Sequence, residues 1–235
     1  MAPRSLPRLL LVLLALALAA CATQTHRQAT ELRRADRQPR IVVMPLDVEL
    51  SQITAGGLGE PHAEWTEAAR RHMMTALQQE AASRHLALTE YEAERGSAED
   101  QETSRDLVKL HRAVGGAILL HQYVPQFHLP SKEGRFDWSL GPSVAAIARA
   151  HDADYALFLF VRDSYATAGR VAVIVVAALV GVGVPGGSQV GFGSLVDLRS
   201  GDIVWFNRLV RQTGDLRTPA AAAETVKILL EEMPR

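Results

Sequence analysis

The chain contains one cysteine, Cys21, among its 235 residues. A single cysteine cannot close a disulfide within the chain, and it cannot supply the set of thiolates that structural zinc sites commonly use. The fold must therefore be stabilised by the packing of apolar side chains. With 48% hydrophobic residues, a chain of this length can bury a sizeable core.

The first twenty residues have the layout of a secretory signal peptide. Arg4 and Arg8 precede an apolar run over residues 9–20, which is too short to span a bilayer comfortably and ends in small residues. The tetrapeptide from Leu18 to Cys21 resembles the bacterial lipobox. That resemblance implies a diacylglycerol on the Cys21 thiol, cleavage before Cys21, and a palmitate or similar acyl chain on the new amino terminus. The alternative is an ordinary signal peptide with a cysteine near its cleavage site by chance.

The residue after the cysteine bears on where such a lipoprotein resides. In known Gram-negative lipoproteins an Asp at this position retains the protein in the inner membrane, whereas this chain has Ala22. The resemblance therefore implies an outer-membrane anchor with the body in the periplasm. Residues 21–40 are mostly polar, and we interpret them as a lipidated tether. Removal of residues 1–20 changes the net charge from −1 to −3, which argues against a nucleic-acid partner.

Alternating strand and helix patterns follow from residue 41 to the end, and we predict a single α/β domain over residues 41–235. The predicted strands are 41–48, 86–91 and 155–161, and the predicted helices are 64–85, one around 107–118, and 142–150, with a long loop at 123–138. A late antiparallel hairpin turns at Ser200 and Gly201, and a C-terminal helix begins at Thr218 and Pro219. This order predicts a mixed sheet covered by helices.

The run from Val171 to Val184 has no charged or strongly polar side chain. At fourteen residues it is too short for a transmembrane helix. We predict a buried strand or helix followed by a glycine-rich turn. The alternative is an element that contacts a membrane or another subunit.

The order of these elements carries a resemblance. Ile41 to Asp47 as the leading strand, the approach to a strand at Ala153 to Tyr155, and the late hairpin around Gly201 and Trp205 are similar to periplasmic α/β lipoproteins. That group includes the curli secretion lipoprotein and the N-terminal domain of the Tol-system β-propeller protein. The resemblance implies a fold and a compartment, and it does not assign a function.

Gly181, Gly183 and Gly186 match the letters of the dinucleotide-binding pattern G-x-G-x-x-G. That pattern needs a helix that opens at the third glycine so that its amides face a pyrophosphate. Pro185 and the strand-like residues after it predict a turn instead. We therefore predict no bound cofactor.

His111, His121 and His128 occur near Glu133 and Asp137, but their spacing is not the one that zinc hydrolases use. We predict no metal site. His151, Asp152 and Asp154 are typical of a turn between a helix and a strand. Ser188 and Ser194 lack the G-x-S-x-G pattern of a nucleophile elbow, and we predict no catalytic residue.

An aromatic side chain in a long loop is a candidate for binding a partner. Trp138 lies in the predicted loop, and His121 and His128 lie close to it in sequence. We expect these three residues to form a partner surface. The predicted function is a non-catalytic binding or accessory component of the cell envelope. The alternatives are a cell-wall or lipid-acting enzyme that uses the His121 to His151 region, and an oligomeric export element built around residues 171–184.

Overall fold

The computed structural model describes residues 25–28, 31–32, 37–184, 186–212 and 215–235. The signal peptide, Cys21 and part of the predicted tether lie outside these residues. Within the described ranges the chain forms eight strands and five α-helices. The strands are β1 His26–Arg27, β2 Arg40–Val43, β3 Asp47–Ile53, β4 Gly59–Pro61, β5 Ala87–Glu90, β6 Tyr155–Ala166, β7 Gln189–Asp197 and β8 Ile203–Arg211. The helices are α1 Ala63–Ser83, α2 Ala98–Tyr123, α3 Ala145–His151, α4 Ala168–Leu179 and α5 Pro219–Leu229.

The strands form one mixed sheet in the order β1-β8-β7-β6-β2-β5, as the predicted α/β class requires. Strands β2 and β5 are parallel to each other, and β2 and β3 both run parallel to β6. The antiparallel pairs are β6 with β7, β7 with β8, β8 with β1, and β3 with β4. The predicted late hairpin is confirmed as β7 and β8.

Each face of the sheet is covered by two helices. Side chains of β6 alternate between the faces, so that Leu157 and Leu159 meet α1 and α5 while Ala156 and Phe158 meet α2 and α3. The largest buried side chain, Trp205, belongs to the α1 and α5 face. The predicted C-terminal helix is confirmed. Thr218 caps it by accepting a hydrogen bond from the backbone N–H of Ala221, and Pro219 occupies its first turn.

The predicted strand over residues 41–48 is wrong in one respect, because the structure divides it into β2 and β3. The chain leaves the sheet between Val43 and Asp47, where Pro45 has no N–H to donate to a ladder. It then pairs again with β6 farther along, at Phe160. The break lets one long strand, β6, serve two shorter parallel partners on the same edge.

Described residues of the predicted tether contact the domain. His26 and Arg27 pair with Phe206 and Trp205 of β8. Leu32 is buried in the core and donates its backbone N–H to the carbonyl oxygen of Arg235. The division of the chain into tether and domain stays a prediction, but these contacts hold residues 25–28 and 32 against the sheet.

Candidate interaction surface

The run over residues 171–184 forms most of α4 and the turn after it, and none of the residues of α4 is buried. The exposed fraction is 64% for Val176 and 82% for Leu179. The expectation of a helix or strand is thus met by a helix, but the expectation that it is buried is wrong. A helix that is apolar all round is normally covered by a core or by a membrane. Within the described residues, α4 is covered by neither the sheet nor another helix.

Local sequence explains why a helix forms here and where it ends. Thr167 caps the helix by accepting a hydrogen bond from the backbone N–H of Arg170. Gly181 has a φ of +77°, and its N–H bonds the carbonyl oxygen of Ala178 at 3.1 Å. The N–H of Val182 bonds the carbonyl oxygen of Ala177 at 2.9 Å. Together these bonds form a Schellman motif. Gly181 therefore ends a helix, whereas a dinucleotide-binding glycine would precede one.

A neighbouring turn adds one more exposed apolar side chain at this end of the sheet. The turn between β3 and β4 lies beside the start of α4, where the N–H of Thr167 bonds the carbonyl oxygen of Ile53 at 3.0 Å. Leu58 in that turn is 72% exposed. We call Leu58 together with residues 171–182 the apolar end. The apolar end is a candidate surface for contact with another protein or with a membrane.

A network of buried polar side chains lies at the same end of the sheet as the apolar end. The carboxylate of Asp163 accepts hydrogen bonds from the Tyr165 hydroxyl and from the Gln189 amide at 2.9 Å. Gln189 in turn accepts a bond from the hydroxyl of Thr225 at 3.0 Å. Burial, followed by the bond to Asp163, raises the pKa of Tyr165, so the hydroxyl stays protonated and donates. The network ties β6, β7 and α5 together below α4.

Of the three predicted partner-surface residues, His128 is exposed, whereas His121 and Trp138 are half-buried. Trp138 is half-buried, and the ammonium of Lys132 lies 4.3 Å from its ring centroid. Its indole nitrogen is buried without a hydrogen-bond partner among the described residues. The ring of His121 contacts the carbonyl oxygen of Phe127 at 2.6 Å, and His128 is exposed. A role for these residues in binding stays a prediction.

One pairing that sequence spacing does not reveal joins His111 of α2 to Ser194 of β7. Their Nε2 and Oγ atoms are 2.9 Å apart, and both residues are buried. Burial lowers the pKa of His111 to about 3, so the ring is neutral. A histidine beside a serine is the arrangement of an activated nucleophile. Here the rings of Phe158 and Phe192 pack against His111 and close the pair off from solvent.

Two other candidates, His151 and Asp154, contact neighbouring residues of the fold. The ring of His151 is buried against Tyr91, with 4.6 Å between the centroids. The carboxylate of Asp154 accepts hydrogen bonds from the guanidinium of Arg37 at 2.8 Å and the backbone N–H of Arg40 at 2.9 Å. Across the ranges that the structure covers, no three His, Cys, Asp or Glu side chains are grouped closely enough to hold a metal ion.

A cleft of about 760 Å³ opens where the chain leaves the sheet between β2 and β3. It lies beside α1, and Glu67, Arg70, Glu90 and Tyr91 contribute to its lining. In open α/β sheets, ligands often bind outside the carboxyl ends of parallel strands. This cleft follows the ends of β2 and β5, so it is a second place where a partner or ligand could be held. Sequence patterns missed it because the break at Pro45 was not predicted.

No helix among the described residues combines the length and the apolar character that crossing a bilayer requires.

Comparisons with known proteins find several similar solved structures, including the following two. The PelC dodecamer from Paraburkholderia phytofirmans is 13% identical, with a TM-score of 0.39, over 90% of this chain and 99% of the PelC chain. The LpoB C-terminal domain from Salmonella enterica is 14% identical, with a TM-score of 0.26, over 76% of this chain and 87% of that domain. No protein-family model and no curated protein sequence matches the chain. Both TM-scores are below 0.5, so neither likeness assigns a role to this chain.

Proposed function

We propose that the chain is an outer-membrane-anchored periplasmic lipoprotein that acts as a non-catalytic binding or accessory component of the cell envelope. The structural observation that carries the binding role is the apolar end. Exposed apolar surface that the chain does not cover is typical of sites that contact another protein or a membrane. The leader and the lipobox-like residues 18–21 support the anchor.

The structure also offers support for binding over catalysis. The His111 and Ser194 pair is enclosed by aromatic rings, and Asp154 is engaged by Arg37 and Arg40. The large surface features, in contrast, are an open cleft and an exposed apolar helix. Open features of this kind suit the recognition of a partner.

The anchor is tested by expressing the full chain and its Cys21→Ser variant in a Gram-negative host and separating the two membranes. We expect the wild-type protein in the outer membrane and the variant in the periplasmic fraction or as uncleaved precursor. A variant that remains in the outer membrane after high-salt washing would contradict the lipid anchor. Metabolic labelling with radioactive palmitate provides a direct second readout.

The sorting step has its own variant. Ala22→Asp introduces the residue that retains known lipoproteins in the inner membrane, and we expect it to move the protein there. Ala22→Ser is the matched control and should leave the protein in the outer membrane. Equal distribution of the two variants would argue against outer-membrane sorting through this position.

The partner is tested with a photoreactive amino acid placed at His128 and, separately, at Glu90 in the cleft. Irradiation of intact cells should join the lipoprotein to the same envelope protein in independent repeats. Position Arg199 in the β7 to β8 turn serves as control, because its side chain is 88% exposed. Adducts of equal yield at all three positions would indicate chance encounters.

A further inference from the structure

The apolar end consists of residue types that lipid favours over protein partners. Protein interfaces are enriched in aromatic residues, Met and Arg, which supply anchoring and hydrogen bonds. Residues 171–184 contain only Val, Ala, Ile, Leu and Gly. Such a surface offers no directional contact to a protein, whereas aliphatic side chains partition readily into the boundary between lipid headgroups and acyl chains.

The direction of β1 indicates which end of the sheet lies nearer to Cys21, the residue that would carry the lipid. Strand β1 runs antiparallel to β8, with His26 opposite Phe206 and Arg27 opposite Trp205. The hydroxyl of Thr25 lies 3.4 Å from the amide oxygen of Asn207. From Arg27 back to Thr25, the chain therefore runs towards Arg211, the last residue of β8. Arg211 pairs with Gln189, at the end of the sheet where α4 connects β6 to β7.

Few residues separate Cys21 from Thr25, so the direction of β1 limits where Cys21 can lie relative to the sheet. Cys21 precedes Thr25 by four residues, which span at most about 14 Å. The four steps along β8 from Asn207 to Arg211 cover about 13 Å. Cys21 can thus reach the level of the apolar end. The opposite end of the sheet lies beyond Tyr155, about 36 Å away along the twelve residues of β6.

We propose that the apolar end docks onto the same bilayer leaflet that receives the Cys21 lipid. The inference deepens the proposed function and rests on its lipid anchor for the position of Cys21. Leu58, Val176 and Leu179 enter the headgroup and acyl-chain boundary without crossing it. The guanidinium of Arg170, in the first turn of α4, then lies in the headgroup zone. With a lipid and a helix as two contacts, the start of β6 at Tyr155 lies on the side of the sheet that faces away from the membrane.

Docking is tested with a fluorescent label at a single free thiol. In the lipidated chain Cys21 is occupied, so Val176→Cys introduces one free thiol that takes an environment-sensitive fluorophore. Arg199→Cys, at the other end of the sheet, carries the same label as the control. Each protein is incorporated into vesicles of phosphatidylethanolamine and phosphatidylglycerol and titrated with iodide, a quencher that stays in water.

We expect the label at 176 to emit at shorter wavelength and to be quenched several-fold less than the label at 199. Equal quenching at both positions on protein that floats with the vesicles overturns docking but leaves the anchor intact. Flotation of the lipidated chain no better than that of its Cys21→Ser counterpart contradicts the anchor. In that case, protection of the label at 176 on protein that floats with the vesicles would still support docking. If neither protein floats with the vesicles, docking is overturned as well.

The same label separates lipid from a second copy of the chain. In the Cys21→Ser background without vesicles, the label at 176 should be fully accessible to iodide. Protection there, with a doubled mass by light scattering, would mean that the apolar end is an interface between copies and would overturn the proposal.

A charge variant provides a measurement without a label. Without its lipid the chain should bind vesicles only weakly, so the partition coefficient of the Cys21→Ser protein is measured at high lipid concentration. In that background, Val176→Asp should lower the partition coefficient by at least about tenfold, because a carboxylate is costly at lipid depth. Leu120→Asp, on an exposed leucine of α2, is the matched control and should leave binding unchanged. Unfolding by urea checks that both variants fold. Equal binding of the two variants would count against docking.

Discussion

Two adjacent glycines in α2 provide a sharp test of the core packing, because one is buried against a ring and the other faces open space. A Cβ built on Gly115 would lie 2.0 Å from Cε2 of Phe192 and 2.3 Å from its Cζ. A Cβ on Gly116 would meet nothing within 4 Å. Both positions lie inside a 26-residue helix, so the gain in helix propensity on substitution by alanine is the same.

The expected energies have opposite signs. Alanine in a helix interior is favoured over glycine by about 0.5–1 kcal/mol, so Gly116→Ala should raise the free energy of unfolding by that amount. For Gly115→Ala, the ring must move by about 1.5 Å to restore an ordinary carbon contact. Phe192 cannot move freely, because its ring is stacked between Phe160 at 4.8 Å and Phe206 at 5.5 Å. Overpacking of this kind costs about 1–3 kcal/mol or more, and the net effect is destabilising.

Urea unfolding followed by far-UV circular dichroism measures both variants, and their midpoints should move in opposite directions. Phe192→Leu provides the mechanistic control. In that background, which leaves space where the ring was, Gly115→Ala should cost much less than in the wild type. The packing argument is refuted if Gly115→Ala is as stable as Gly116→Ala, or if the cost of Gly115→Ala is the same with and without the Phe192 ring.

Two further predictions concern buried polar groups. Because burial lowers the pKa of His111 to about 3, the unfolded chain binds a proton between about pH 6.5 and 3 that the folded chain does not. The unfolding free energy should therefore fall by up to about 1.4 kcal/mol per pH unit as the pH drops below 6.5, and urea midpoints for His111→Gln at about pH 7 and 5 should show a smaller decrease than the wild type. The pH dependence that remains in His111→Gln belongs in part to His26 and His151, whose pKa values burial also lowers. A pH dependence in His111→Gln equal to that of the wild type would contradict the assignment to His111. The buried amide of Asn207 donates to the carbonyl oxygens of Ile228 at 2.8 Å and Leu229 at 3.1 Å at the end of α5. Asn207→Asp should lower the free energy of unfolding by at least about 3 kcal/mol, because a buried carboxylate would face two acceptors. Asn207→Ala should lower it less. Thermal unfolding at neutral pH ranks the two variants, and a more stable Asn207→Asp would contradict the prediction.

The helices, strands β5 and β6 and the late hairpin could be predicted because their signals are local, whereas β1 and β4 were not predicted. Apolar spacing at Leu107, Val114 and Ile118 indicates a helix even though two glycines interrupt it, and α2 is longer than that spacing alone defines. The same spacing places Leu110 inward, yet it is 41% exposed. Periodicity therefore identifies the element better than it identifies the full extent of the buried face.

The site could not be predicted to the same degree, since it depends on contacts that are distant in sequence. The apolar character of residues 171–184 is plain from their side chains, but hydrophobicity does not say whether the chain itself covers them. The pairing of His111 with Ser194 requires that α2 cross a strand 83 residues later in the chain. The break after Val43 depends on how β6 pairs with two strands, which Pro45 alone does not reveal.

The antiparallel pairing of β1 with β8 also has a mechanical consequence. Under the proposed anchoring, a pull on the lipid is transmitted through Thr25 along the axis of β8, roughly at right angles to the ladder bonds. The hydrogen bond from Gln28 to the carbonyl oxygen of Val204, at 2.8 Å, and the β1 to β8 pairing are then loaded together in shear and not opened one after another. Displacement of the domain relative to the membrane would thus be resisted by several bonds at once, although β1 contains only two residues.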